Sequence, residues 1–126
     1  MTGANGVPAR RYHFGNGVAD VVRDADLARI VLAGDLDTST VQRVRLIVEG
    51  ACERRPGRVV VDLAAVEFVD SHGLQLLADT HRRLTAEGAS LVVVPPAEPV
   101  RRAFELTSLE WLFGDDSVEP GPQVPS

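Results

Sequence analysis

The sequence has only one cysteine, one methionine, one tryptophan and one tyrosine among its 126 residues, and it has no lysine. The single cysteine, Cys52, excludes a disulfide within the chain and a metal cluster held by several cysteines. No apolar run approaches the roughly 18 residues of a membrane-spanning helix, and no signal-peptide pattern opens the chain. We therefore expect a cytoplasmic protein without a membrane span, and we predict no metal and no cofactor.

Positive charge is also scarce, since 13 basic residues face 18 acidic ones and the formal net charge is −5. Nucleic-acid-binding domains are usually basic, so direct binding to nucleic acid is not expected. The length predicts one domain. We expect a partly disordered segment or a short first strand over residues 1–17, a folded domain over 18–113 and a disordered tail over 114–126. The tail contains three prolines and few apolar residues.

The first half of the chain predicts strands followed by a helix. "GVADVV" and "LARIVLAG" are typical of a hairpin, and an additional short strand is predicted near Arg11 to Phe14. Thr38 or Ser39 is a suitable N-cap for a helix that begins near Val41 and ends before Pro56. The apolar residues of that helix recur at helical spacing, and Cys52 lies on its predicted buried face.

The second half alternates strands with helices. "RVVVDLAAV" predicts a central parallel strand that is buried on both faces, and "EFVD" is interpreted as the loop after it. A second helix follows from Ser71, with an apolar face formed by Leu74, Leu77, Ala78, His81 and Leu84, and ends at Gly88. "SLVVV" predicts the last strand, a third helix is expected over residues 98–106, and "SLEWLF" contains aromatic residues that close the core. The predicted class is α/β, with a mixed sheet of four to five strands covered by three to four helices.

The segment "FVDSHGLQLL" contains the three residue types of a hydrolase triad in Asp70, Ser71 and His72. Neighbouring residues at a helix start point about 100° apart, and known triads collect their members from distant parts of a chain. The Gly-x-Ser-x-Gly pattern of a nucleophile elbow is also absent. We therefore predict that the protein is not an enzyme. Two interpretations stay open: Asp70 or Ser71 caps the second helix, or Ser71 accepts a phosphate at the helix N-terminus, where an anion is tolerated.

Three blocks of the sequence, in this order, resemble the STAS domain family and in particular the bacterial anti-sigma factor antagonists. "GDLDTST" is similar to the family's Gly-Glu-Leu-Asp turn, "VVVDLAAVEFVDSHGLQLL" to its central strand and Asp-Ser-x-Gly-Leu segment, and "GASLVVVPPAEPVRRAFELTSLEWLF" to its closing strand and third helix. Asp35 replaces the usual Glu of the turn. His72 stands where well-known members often have Ser or Thr, which leaves Ser71 as the single hydroxyl of that segment.

The resemblance implies a partner-switching cycle. An unphosphorylated antagonist binds an anti-sigma factor that is also a serine kinase, phosphorylation of the serine, here Ser71, causes release, and a serine phosphatase resets the protein. It also implies a partner-binding surface, which we call the predicted partner surface: Asp35, Asp37, Thr38, Ser39, Asp70, Ser71, His72, Gly73 and Gln75.

One alternative function stays open at the level of sequence. The chain could be a STAS subunit of a larger complex, such as a lipid transporter or a stress-sensing assembly. In that case Ser71 is a docking or structural residue. A third candidate, a nucleotide binder, is disfavoured because the sequence has no glycine-rich phosphate loop.

Overall fold

A mixed five-stranded sheet forms the centre of the computed structural model, which describes residues 9–114. The strands lie in the order in which they occur in the chain: β1 (Ala9–Phe14), β2 (Gly17–Asp24), β3 (Leu27–Leu36), β4 (Arg58–Val69) and β5 (Ser90–Val94). The first three pair antiparallel, whereas β3, β4 and β5 are parallel. The predicted fold class is confirmed, and the additional strand near Arg11 to Phe14 is present as β1. The expected tail lies, apart from Gly114, outside the described residues.

Three helices complete the fold: α1 (Val41–Cys52), α2 (Ser71–Ala86) and α3 (Val100–Leu106), followed by a 3₁₀ turn at Glu110–Leu112. The β3-α1-β4 and β4-α2-β5 crossovers advance in the same direction across the sheet. Because such crossovers are right-handed, α1 and α2 cover the same face. The predicted start of the third helix at Glu98 is two residues early, since Pro99 occupies the N-cap position.

The buried face of α2 is wider than its sequence pattern predicted. Leu76 and Thr80 are buried in addition to Leu74, Leu77 and Leu84, whereas Ala78 and His81 are only partly buried. Leu76 and Thr80 share a groove with residues of α1, so they lie on the side of α2 that faces this helix. The buried Thr80 hydroxyl donates a hydrogen bond to the Leu76 carbonyl oxygen at 2.8 Å. The apolar pattern of α2 predicts its packing against the sheet but not this second contact, with α1.

The remaining core predictions agree with the structure. Cys52 is a buried free cysteine, and burial raises the pKa of its thiol. His81 is a packed histidine whose ring meets the Trp111 ring edge-on at 4.7 Å. Phe113 packs against the fully buried Phe104, with ring centroids 4.9 Å apart. The aromatic residues of "SLEWLF" thus close one end of the core.

The strand β4 differs from its prediction because it continues through "EFV" to Val69. Its pairing with β3 contains two register shifts, each with one extra residue on β4. After Leu63 the buried positions are therefore three residues apart, at Val66 and Val69, with two exposed residues in each interval. This spacing matches neither a regular strand nor a helix, and for this reason the sequence pattern predicts a loop at "EFVD".

None of the helices within residues 9–114 is long and apolar enough to cross a membrane.

The leucines on α1 and α2 provide a test of this packing. Leu76 is 1% exposed, whereas Leu46 is 61% exposed. We expect Leu76→Ala to lower the free energy of unfolding by about 2–5 kcal/mol through lost burial and a residual cavity. Leu46→Ala, the matched control, is expected to change it by no more than about 0.5 kcal/mol. Urea unfolding followed by circular dichroism measures both, and equal losses would contradict the described packing.

Candidate functional site

Two loops meet where the parallel strands β3 and β4 end. The first is the turn between Leu36 and α1, and the second is the junction of Val69 with α2. They are joined by the Asp70 amide, which donates a hydrogen bond to the Leu36 carbonyl oxygen at 3.2 Å. Since consecutive parallel strands deliver their carboxyl ends to one edge of a sheet, residues 32 or more positions apart become neighbours here. The predicted partner surface is assembled around this contact.

Asp70 is the N-cap of α2. Its Oδ1 accepts hydrogen bonds from the backbone amides of His72 at 2.8 Å and Gly73 at 3.3 Å. Its Oδ2 accepts two more, from the Thr38 amide at 3.1 Å and the Thr38 hydroxyl at 3.2 Å. One carboxylate therefore satisfies donors at the helix start and also holds the neighbouring turn.

These hydrogen bonds favour the ionised form of Asp70. Partial burial raises the pKa of the carboxyl, but the hydrogen bonds from Gly73, His72 and Thr38 favour the carboxylate and together lower its pKa below the ordinary value. The helix N-terminus contributes a favourable field in the same direction. Asp70 is therefore ionised at neutral pH.

Gly73 allows α2 to approach β3 closely. A Cβ atom at this position would lie 2.6 Å from the Leu36 carbonyl oxygen and 2.9 Å from the Leu36 Cγ atom. The first of these is backbone and cannot turn away. The glycine of the segment "DSHG" thus has a packing role, and it sets how close the start of α2 lies to the turn after β3.

The turn after β3 is organised by Asp37 rather than by the predicted caps. Asp37 Oδ1 accepts hydrogen bonds from the Ser39 hydroxyl at 2.7 Å and the Ser39 amide at 2.9 Å. The Ser39 hydroxyl is the main cause that lowers the pKa of Asp37. The N-cap of α1 is Thr40, and its side chain makes no capping bond but donates to the Asp35 carbonyl oxygen at 2.8 Å. The prediction that Thr38 or Ser39 caps α1 is therefore wrong, because the Thr38 hydroxyl bonds across to Asp70 and the Ser39 hydroxyl bonds to Asp37.

His72 faces the turn and not Ser71. Its Nδ1 lies 3.0 Å from the Thr38 hydroxyl and 3.6 Å from Asp70 Oδ1. Its side chain is 57% exposed. The imidazole and the carboxylate are thus both within reach of Thr38, a residue that the triad interpretation did not include.

Ser71 is the first residue of α2 and is exposed. Within residues 9–114 its hydroxyl forms no hydrogen bond, so nothing there activates it as a nucleophile. His81 contacts Trp111 and His13 lies in β1, and within residues 9–114 no hydrogen bond joins either histidine to Ser71. The cap function falls to Asp70 alone, and the hydroxyl of Ser71 is left free at a helix N-terminus.

The other residues of the predicted partner surface lie near this centre. Asp35 is exposed at the end of β3. Gln75 is exposed one helical turn after Ser71, and its side-chain amide donates to Asp79 at 2.8 Å. The residue that sequence reasoning missed is Phe68, which is half exposed and pairs in register with Asp35. Its position depends on the second register shift of β4, and the sequence pattern gave no signal of that shift.

The site is an exposed surface and not a cavity. A groove of about 240 Å³ between α1 and α2 and a basic depression of about 550 Å³ beside β1 are both lined by other residues. In the part of the chain that the structure describes, no three His, Cys, Asp or Glu side chains are grouped to hold a metal ion. An exposed, charged surface with one free hydroxyl is suited to docking and modification by another protein.

The capping function of Asp70 can be tested by stability measurements. We expect Asp70→Ala to lower the free energy of unfolding at neutral pH by about 0.5–2 kcal/mol, since both loops lose their acceptor. Asp70→Asn is the control, because Asn caps a helix comparably without a charge. A lowered pKa in the folded protein contributes stability that is present above the ordinary carboxyl pKa and is lost as the pH falls through the lowered value.

The same urea titrations, repeated between about pH 7 and pH 2, test the charge. Wild type should lose stability on acidification more steeply than Asp70→Asn does. Identical pH profiles for these two proteins would contradict a stabilising carboxylate at position 70.

Comparison with known proteins identifies the family of this chain. The family model for the STAS domain matches residues 19–120. The chain is 30% identical over 98 residues to an anti-sigma-B factor antagonist of Listeria monocytogenes, covering 77% of this chain and 85% of that protein. It is 29% identical over 87 residues to the anti-sigma-F factor antagonist RsfB of Mycobacterium tuberculosis, covering 69% of this chain and 70% of the relative.

Solved structures show the same fold at lower identity. An anti-sigma factor antagonist from Mycobacterium paratuberculosis aligns with a TM-score of 0.65 at 24% identity, covering 90% of this chain and 87% of the other. The unphosphorylated form of the anti-sigma factor antagonist SpoIIAA aligns with a TM-score of 0.66 at 20% identity, covering 86% and 87%. The resemblance inferred from the three sequence blocks is confirmed, and this chain belongs to the STAS domain family.

Proposed function

We propose that this protein is an anti-sigma factor antagonist that works by partner switching. In its unmodified form it binds an anti-sigma factor with serine kinase activity, and phosphorylation of Ser71 releases that partner. A serine phosphatase restores the binding form. The relatives named as anti-sigma factor antagonists support this role, as does the STAS fold. The protein contributes binding, and the kinase supplies the chemistry.

The observation that carries the proposal is that Asp70, and not Ser71, caps the helix α2. Asp70 makes the capping bonds, while the exposed Ser71 hydroxyl makes none within the described chain. A phosphate on Ser71 therefore breaks no bond that holds the fold. Its charge also lies at the N-terminus of a 16-residue helix, where the helix dipole favours anions. We expect the folded domain to accept the modification.

Release follows from what the kinase must place opposite Ser71. For phosphoryl transfer the γ-phosphate of ATP has to reach the Ser71 Oγ atom, so the nucleotide lies against this part of the surface. After transfer, a phosphoserine of nearly two negative charges faces the remaining diphosphate and stands beside the ionised Asp70. Burying that dianion without a paired cation is costly. The same contact that permits transfer thus disfavours the product complex.

The rest of the predicted partner surface has a supporting role in this proposal. Asp37 and Ser39 hold the turn, and Thr38 connects it to Asp70 and His72. Asp35 and Gln75 are exposed near that centre, where a partner can contact them. Because sigma factors act in the cytoplasm, the proposed role implies a cytoplasmic protein.

The proposal predicts a single phosphorylation site. We expect that incubation with the cognate kinase-type anti-sigma factor and ATP places one phosphate on Ser71, mapped by mass spectrometry, and that Ser71→Ala receives none while still binding the kinase. Thr38→Ala and Ser39→Ala are matched controls, since they remove the neighbouring hydroxyls and should still be phosphorylated. Phosphate on Ser71→Ala would refute the site, and a wild-type protein that binds no such kinase would refute the function.

A further inference from the structure

The two register shifts of β4 place an aromatic side chain beside the predicted partner surface. The second shift falls between the pairs Gly34–Val66 and Asp35–Phe68, so that Glu67 is the extra residue on β4. Val66 and Val69 stay in the core, and Glu67 and Phe68 between them are exposed. Bulges of this kind re-aim side chains and are common next to functional sites.

Phe68 differs in location from the other exposed apolar side chains. Within residues 9–114 three large hydrophobic residues are strongly exposed, namely Leu46 at 61%, Phe68 at 50% and Leu106 at 73%. Leu46 lies in the middle of α1 and Leu106 at the end of α3. Phe68 is two residues from Asp70 and is paired with Asp35, so only this one adjoins the predicted partner surface.

Carboxylates surround Phe68 in sequence and in register. We call Asp35, Asp37, Glu67 and Asp70 the acidic rim. In the described part of the chain none of the four forms an ion pair with an arginine, although other surface acids such as Asp20, Asp62, Asp79 and Glu87 do. Asp37 and Asp70 are held as carboxylates by hydrogen bonds from their own loops. Apart from the His72 imidazole, whose Nδ1 lies 3.6 Å from Asp70 Oδ1, the rim thus presents negative charge without a cationic partner in the described part of the chain.

We propose that Phe68 is the apolar anchor through which this protein docks on the kinase-type anti-sigma factor, and that it enters an apolar pocket flanked by arginine or lysine side chains that pair with Asp35 and Glu67. This inference rests on the proposed function and names the chemistry of the partner's surface. Energetically dominant interface residues are typically aromatic side chains that become fully desolvated, with charged groups around them. Complementary charge at the rim mainly accelerates association.

Phe68, the anchor, and Ser71, the switch, affect the affinity of the complex at different stages of the reaction. Phe68 and the rim supply binding energy that is the same before and during phosphoryl transfer, whereas the phosphate on Ser71 opposes binding only afterwards. Loss of uniform binding raises KM and leaves kcat unchanged. Phe68→Ala should therefore weaken docking and raise the kinase's KM for this protein, with kcat for transfer to Ser71 close to that of wild type.

Calorimetry with the unphosphorylated protein and the cognate anti-sigma factor tests the anchor. We expect Phe68→Ala to raise Kd by at least about thirtyfold, which is the loss of affinity typical when an interface residue that dominates binding is truncated to alanine. Leu46→Ala and Leu106→Ala are matched controls and should stay within about threefold. Asp35→Asn with Glu67→Gln should slow association and reduce its dependence on salt.

The outcomes separate the two claims. If wild type does not bind the kinase, the proposed function fails; if wild type binds and Phe68→Ala binds equally well, only the anchor fails. Phe68→Trp provides a measurement that does not depend on the alanine variant's fold. Its emission should shift to shorter wavelength when the complex forms, beyond any change that wild type, which has only Trp111, shows on binding, and an unshifted emission would overturn the proposal.

Discussion

The rest of the site depends on the hydrogen bonds that the Asp70 carboxylate accepts from both loops. This carboxylate closes the first turn of α2 and, through Thr38, fixes the turn that follows β3. Without this acceptor, the two loops are joined by the backbone bond between Asp70 and Leu36, by the contact of the Thr38 hydroxyl with His72 and by the close fit at Gly73. The geometry around Ser71 is therefore imposed by its neighbours on both sides, and Ser71 itself contributes nothing to it.

That independence is what a modifiable residue needs. A hydroxyl that caps a helix or fills a packing gap cannot be phosphorylated without a loss of stability. Here the capping is done by one residue and the modification is proposed for the next, so folding and regulation are chemically separate. The acidic rim and Phe68 extend the same surface outward, and the Asp37 turn sets its shape. In the proposed mechanism, binding, positioning and switching thus fall to different side chains at one edge of the sheet.

Much of this arrangement could be predicted from sequence where a single periodic contact determines the structure. The β-branched runs of β4 and β5 and the spacing of Val44, Ile47 and Val48 indicate the mixed sheet and its helices, and the three blocks of the family resemblance indicate the fold. Thr38 was expected on the partner surface, but its bond to Asp70 was not; that bond, the burial of Leu76 and the exposure of Phe68 each depend on a second contact. Leu76 is buried because α2 also meets α1, Thr38 bonds to a residue 32 positions away, and Phe68 is exposed by a shift in strand register. Such long-range events have no local period, so no pattern along the chain records them.

The central claim is that phosphate at Ser71 leaves the fold intact while removing the partner. The most direct measurement compares the protein carrying phosphoserine at this position with the unmodified protein, in both unfolding free energy and affinity for the kinase-type anti-sigma factor. The account predicts an unfolding free energy that changes by less than about 0.5 kcal/mol, as for a surface change, together with an affinity at least about a hundredfold weaker. A phosphorylated protein that binds as tightly as the unmodified one, or that loses affinity only because it has unfolded, would contradict it.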